Sequence, residues 1–274
     1  MSYQSIAQGG SVREEADRAL FYEARLNLFG LTATIFPFGD SKHLVAATTF
    51  KTVGAEQVTC TYSKDPLTWD SPPSLQGLVP VLTFDGVDEE IDTPDITYFS
   101  RVNSTPGDDP MSLEVWVNMV DATESTLISK WDHDQDRREW VLQLNGSDKI
   151  QFTVADEGEV GNPTLDTEAD VAIGEGLWVC LGCSWTGSLT ASPIILYVNG
   201  IAVAQTSTDD AGFLAGPENT IALVRLGNIG AVTKISFFDG LMAGGFLGPL
   251  YSQAVATPDQ FLRSYELGRR ALEL

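Results

Sequence analysis

Three groups of residues have the types and spacing for chemistry. Asp132-His-Asp134-Gln-Asp136 places carboxylates two apart, as the start of a calcium loop does. An EF-hand would need Gly at the sixth position and Glu at the twelfth. Arg137 and Gln143 stand there instead, so the spacing predicts at most a rim site, with Asp132, Asp134 and Asp136 as calcium ligands and Asp85 or Asp88 nearby. The competing reading is a solvated acidic loop. Trp131, next to Asp132 and His133, pairs an aromatic face with polar groups, the arrangement a sugar ring requires. Against it, Trp131, Trp140, Trp178 and Trp185 are expected to fill a core. Cys180-Leu-Gly-Cys183 has the CxxC spacing of a zinc or redox pair. It lies in Leu177–Trp185, which reads as a strand, so the two thiols point to opposite faces. With only His43 and His133 to complete a zinc shell, the cysteines read as small hydrophobes.

The whole chain bounds these candidates. It has 274 residues, with 16 Lys+Arg against 38 Asp+Glu, a formal net charge of −22. Such a surface repels phosphates and anionic lipid, which argues against nucleic-acid and membrane binding. Three cysteines are too few, and odd in number, for a disulfide scaffold. Met1–Gly10 is polar and shows no signal-peptide pattern.

The elements that must hold the candidates are mostly strands. Met111–Asn118 alternates Leu113, Val115 and Val117 with Glu114, Trp116 and Asn118, a strand with one face on a core. Trp116 on its other face needs cover from a second sheet, a loop, the N-terminal segment or a ligand. Ser11-Val-Arg-Glu14 is a capping box that opens a helix to about Leu28. Leu31–Phe38, Leu44–Val53 and Gln57–Tyr62 read as strands, and the Pro- and Ser-rich stretch Lys64–Gln76 as a linker. Short strands follow: Val79–Phe84, Thr126–Trp131, Glu139–Leu144, Lys149–Ala155, Ile194–Val198, Ile201–Gln205, Ile221–Leu226 and Phe246–Ser252. Asn199-Gly200 between apolar runs predicts a type I′ hairpin. Thr257-Pro-Asp-Gln260 predicts a capped closing helix. The expected fold class is all-β, an antiparallel two-sheet jelly-roll sandwich with a C-terminal helix and an N-terminal α+β extension. The expected domains are 1–74, an anchoring arm, and 75–274, the sandwich.

Six segments in order carry a resemblance. Val81-Leu-Thr-Phe-Asp-Gly-Val-Asp88, Met111–Asn118, Leu127-Ile-Ser-Lys-Trp131, Leu177-Trp178, Leu196-Tyr-Val-Asn-Gly200 and Phe238-Asp-Gly-Leu241 through Leu262 resemble laminin-G-like domains of the concanavalin A-like lectin/glucanase superfamily. The resemblance covers about residues 78–270 and implies a two-sheet jelly roll, but no single function. It raises calcium as a possible cofactor and glycan as a possible ligand. Glucanase relatives cut sugars with a strand of the form Glu-Ile-Asp-x-x-Glu. Glu90-Ile-Asp92-Thr-Pro94-Asp95 imitates its beginning only. Pro94 interrupts the strand, and Asp95 has the shorter reach, so no catalytic pair is expected.

These readings lead to a non-enzymatic virion structural protein, a capsid decoration protein of a tailed phage with weak glycan binding. Residues 1–74 would contact capsid or other virion subunits, in a homo-oligomer or on a lattice. A virion location would need no signal peptide. Alternatives are a tail fibre or baseplate adhesin, a bacterial lectin module and, last, a glycoside hydrolase.

Overall fold

The computed structural model describes residues 12–38, 49–63, 74–77, 79–101, 109–157, 163–213, 216–230 and 236–274. Helix α1 is Val12–Phe29. Strands β1 (Ala33–Ile35), β2 (Thr49–Lys51), β3 (Val53–Gly54), β4 (Thr59–Tyr62), β5 (Ser74–Gln76), β6 (Val79–Asp85) and β7 (Ile91–Asp92) follow. The middle of the chain holds β8 (Met111–Asp121), β9 (Thr126–Asp132), β10 (Arg137–Leu144), β11 (Ile150–Ala155), β12 (Thr164–Ala169) and β13 (Trp178–Trp185). Then come β14 (Ile195–Val198), β15 (Ile201–Ala202), β16 (Gln205–Asp209), β17 (Val224–Leu226), β18 (Asp239–Ala243), β19 (Leu250–Ser252) and helix α2 (Pro258–Ala271).

The strands form two antiparallel sheets. One has ten described strands, with the path β15-β14-β13-β8-β18-β6-β5 and β19, β1 and β3 attached beside β8. The other has nine, in the order β16-β12-β11-β10-β9-β17-β7-β4-β2. The core lies between them. Leu113, Val115 and Val117 of β8 face Ile128, Leu142, Phe152 and Leu165 of the nine-stranded sheet in one buried cluster. Burying this apolar surface is the main driving force for the fold.

The outer face of β8 is covered by the two helices. Trp116 stacks on Tyr265 of α2, with ring centroids 5.5 Å apart and planes within 5°. Gly268 lets the helix come that close, since a Cβ there would overlap the indole. Thr257 and Gln260 form the expected capping box. Asn199 and Gly200 both have positive φ, 52° and 74°, as a type I′ turn requires. Cys180 lies under α2 with Trp116, while Cys183 is in the inter-sheet core. All three thiols are buried and unbonded to one another, and burial raises each above the ordinary range.

The division at residue 74 is corrected by strand pairing. β1 pairs with β19 in one sheet, while β4 pairs with β7 in the other. Strands β1, β2, β3 and β4 are therefore part of the sandwich, and α1 is one of its covering helices. Met1–Gly10, Ser11, residues 44–48 and most of the expected linker lie outside the described residues. No described helix is long and apolar enough to cross a membrane.

Candidate functional site

Cα partners across an antiparallel sheet point to the same side, so register defines rows. One row crosses the whole nine-stranded sheet on its outer face, with one residue per strand. It runs Thr208, Asp166, Thr153, Val141, Ser129, Arg225, Asp92, Thr61, Thr49. Eight of the nine are polar. At a strand spacing of about 4.8 Å the row spans roughly 38 Å.

A short segment straps the middle of this row. Ser129 Oγ donates to the Asn228 carbonyl at 2.8 Å. Asn228 donates its amide to Glu90, and its side-chain oxygen accepts the Ile229 and Gly230 N–H groups at 2.6 and 3.2 Å. Ile229 packs on Trp131, Val141 and Ala155. The strap buries Ser129 and Val141 and leaves two polar patches, one on each side.

The first patch is charged. Arg225 Nε donates to Asp92 Oδ1 at 3.1 Å, and Arg225 Nη1 donates to the Trp131 carbonyl at 3.3 Å. Gly230, at φ +68°, is what allows the guanidinium its place, because a Cβ there would overlap Arg225 Nη1 and Trp131 O. The second patch centres on Asp166. Its carboxylate accepts from the Thr153 and Thr164 hydroxyls, both at 2.5 Å, and from Gln151 at 3.4 Å. Gln143 donates to Gln151 at 3.1 Å and extends the chain of bonds.

The expected sugar-binding trio is separated by strand alternation. Trp131 is on the outer face but only 7% exposed, so its ring is covered and offers no open stacking platform. Asp132, next along β9, points to the opposite side and sits across from Arg137. His133 is exposed in the turn that follows. Asp136 takes a left-handed conformation at φ 50° and pairs with Arg138 at 2.9 Å. The Asp134 side chain lies outside the described part. The described carboxylates that do come together are Asp85, Asp88 and Glu89, with one oxygen from each within 4.8 Å of the others. Hard oxygens at that spacing suit a calcium ion. These groups already close the Asp85-Gly86 turn: Asp85 Oδ1 accepts the Val87 and Asp88 N–H groups, and Glu89 accepts that of Asp85. Beside them, Asp85, Asp239 and Asp121 stand in register on adjacent strands along a polar cleft of about 270 Å³. Desolvation, then Asp121 and Asp85, raise the Asp239 carboxyl above its usual range.

Within Glu90-Ile-Asp92, Ile91–Asp92 forms β7 inside the nine-stranded sheet, between β17 and β4. Each acid of that segment has its own partner: Asn228 for Glu90, Arg225 for Asp92, and Lys130 for Asp95 at 2.8 Å. Lys130 is fully buried and also meets Glu139 at 3.2 Å. Burial outweighs that cation and pushes the Glu139 carboxyl up to about 7.

The sequence reading missed Arg225, Asn228 and Gly230. Their signal was present in the Leu226-Gly-Asn-Ile-Gly230 turn chemistry, but nothing in the local pattern tied it to Asp92.

Residues 85–244, more than half of the chain, match a laminin-G-type family described as the concanavalin A-like lectin/glucanases superfamily, and the chain belongs to that family. No curated protein sequence matches it. Among solved structures it is similar to domain 4 of AbnA, an extracellular arabinanase from Geobacillus stearothermophilus, in complex with arabinotriose. That match has 16% identity, a TM-score of 0.52 and coverage of 86% of this chain and 98% of the other. It is also similar to the binding domain of botulinum neurotoxin DC in complex with SialylT (9% identity, TM-score 0.55, 86% and 51% covered). The serotype G binding domain matches at 10% identity and a TM-score of 0.56, with 87% and 51% covered. The chain spans about half the length of the toxin binding domains. At these identities the likeness shows the fold, a lectin-like sandwich.

Proposed function

We propose that this chain is a non-enzymatic glycan-binding module and that the outer face of the nine-stranded sheet is its binding surface. The observation that carries the reading is the in-register row from Thr208 to Thr49. Its hydroxyls, carboxylates and guanidinium are the groups that orient a sugar. Arabinotriose and SialylT, bound by two proteins of the same fold, support a glycan as ligand. The partners of Glu90, Asp92 and Asp95 support binding over hydrolysis, because each acid is held by a different group rather than facing a second carboxyl across a groove.

The more specific form of the proposal is a virion protein, a decoration subunit on the capsid of a tailed phage. The charge of −22 supports it, since like-charged copies crowded on a lattice do not associate with one another. A tail adhesin or a bacterial lectin would use the same surface.

A glycan array probed with the whole chain tests the binding reading. Bound glycans, lost on Arg225→Ala with the fold retained, are expected; a blank array would overturn it. Proteomics of purified particles tests the virion form, which requires the protein in the head fraction and fails if particles lack it.

A further inference from the structure

We infer that the outer-face site selects glycans without negative charge and discriminates against sialylated, uronic-acid and sulfated ones. This rests on the glycan-binding reading and adds the class of sugar.

The argument is one of charge and of donors. Across the row and its neighbours the described face carries the carboxylates Glu90, Asp92, Asp166 and Glu168, with Asp210 bonded to Thr164 beside them, against the cations Arg225, Lys149, Arg138 (across from Trp131) and Lys51. Three of the four cations are taken: Arg225 by Asp92 and the Trp131 carbonyl, Lys149 by Glu168 at 3.1 Å, and Arg138 by Asp136 and Glu157 at 2.9 and 3.4 Å. Arg225 is 15% exposed, so it cannot swing out to a ligand anion without leaving Asp92. Lys51 also faces this side, on the edge strand three strands from Arg225. Hydrogen-bond donors hold two of the carboxylates as well. Asp166 takes the hydroxyl hydrogens of Thr153 and Thr164, and Glu90 takes the amide of Asn228. Those two hydroxyls therefore have only acceptor lone pairs left for a ligand.

A surface built this way accepts hydrogen bonds. A neutral sugar meets it with a row of O–H donors. A ligand carboxylate or sulfate brings only acceptors at its charged end, together with a charge that Glu90, Asp92 and Asp166 repel. The wider field of a −22 chain acts in the same sense. One toxin binding domain of this fold is seen in complex with SialylT, so the discrimination would belong to these side chains and not to the sandwich.

The test is a printed array of neutral oligosaccharides, each beside its sialylated and its sulfated counterpart, read at low and at high salt. At low salt each neutral member should bind about tenfold more tightly than its charged counterparts, and the gap should narrow at high salt as screening sets in. Asp92→Asn, which frees Arg225, should raise affinity for sialylated members several-fold. Asp166→Asn should do so more weakly, and it serves as the second probe should Asp92→Asn disturb folding. Equal or tighter binding of the charged members by wild type would overturn the inference while leaving the glycan reading standing. No binding to any member would overturn that reading and the inference with it.

Discussion

Arg25 and Glu114 lie 89 positions apart and meet at 2.8 Å with both side chains fully buried. The pair joins α1 to the central strand of the ten-stranded sheet. Arg25 also donates to the Phe246 and Gly248 carbonyls at 2.9 and 2.6 Å, and Ser264 of α2 donates to Glu114 at 2.7 Å. One carboxylate thus holds both covering helices.

Removing Arg25 should therefore be costly. Arg25→Ala leaves the Glu114 charge buried with only weaker donors, and a loss of about 3–5 kcal/mol is expected. Arg25→Met with Glu114→Leu, which removes both charges, should recover much of that loss. Urea unfolding of the single and double variants measures the difference.

Glu139 sets a pH dependence. Its folded carboxyl titrates at about 7, against an ordinary value of 4.5. The native state therefore holds this proton more tightly than the unfolded chain. Stability should be full below 4.5 and fall as pH rises through 7, by on the order of 3 kcal/mol. Asp239, also raised, acts in the same direction. In Glu139→Gln the loss across that window should shrink, as read from unfolding curves at a series of pH values.

Gly230 tests the charged patch without touching a charge. Gly230→Ala puts a methyl group where Arg225 Nη1 lies and strains a φ of +68°. Glycan affinity should drop about tenfold or more, while unfolding shifts by roughly 1–2 kcal/mol. Calorimetric titration with an array hit, beside a urea melt, separates the two effects.

The sandwich was legible in the sequence because its cues are local. Alternation marks β8, Asn199-Gly200 marks its hairpin, and Thr257-Pro-Asp-Gln260 starts α2. Other parts depend on distant partners. Glu90-Ile-Asp92 reads as an acidic loop until β17 and β4 pair on either side of it. Thr164–Ala169 carries two acids and only one large apolar residue, so nothing marked it as a strand. Trp131 reads as a sugar platform or as core, and whether its ring is open depends on Ile229, nearly a hundred residues later. The row itself is a property of register across nine strands, and no linear pattern encodes it. Alternation shows that Trp116 needs cover; that α2 supplies it, and not a second sheet or a loop, follows from packing at Gly268.

The most direct test of the binding surface is amide-shift mapping by NMR during titration with a glycan that the array identifies. The account predicts shifts concentrated on β12, β11, β9, β17 and β7, around Asp166, Thr153, Arg225 and Asp92, and lost in Arg225→Ala. Shifts confined to the Asp85, Asp121 and Asp239 cleft, with the nine-stranded face unmoved, would contradict it.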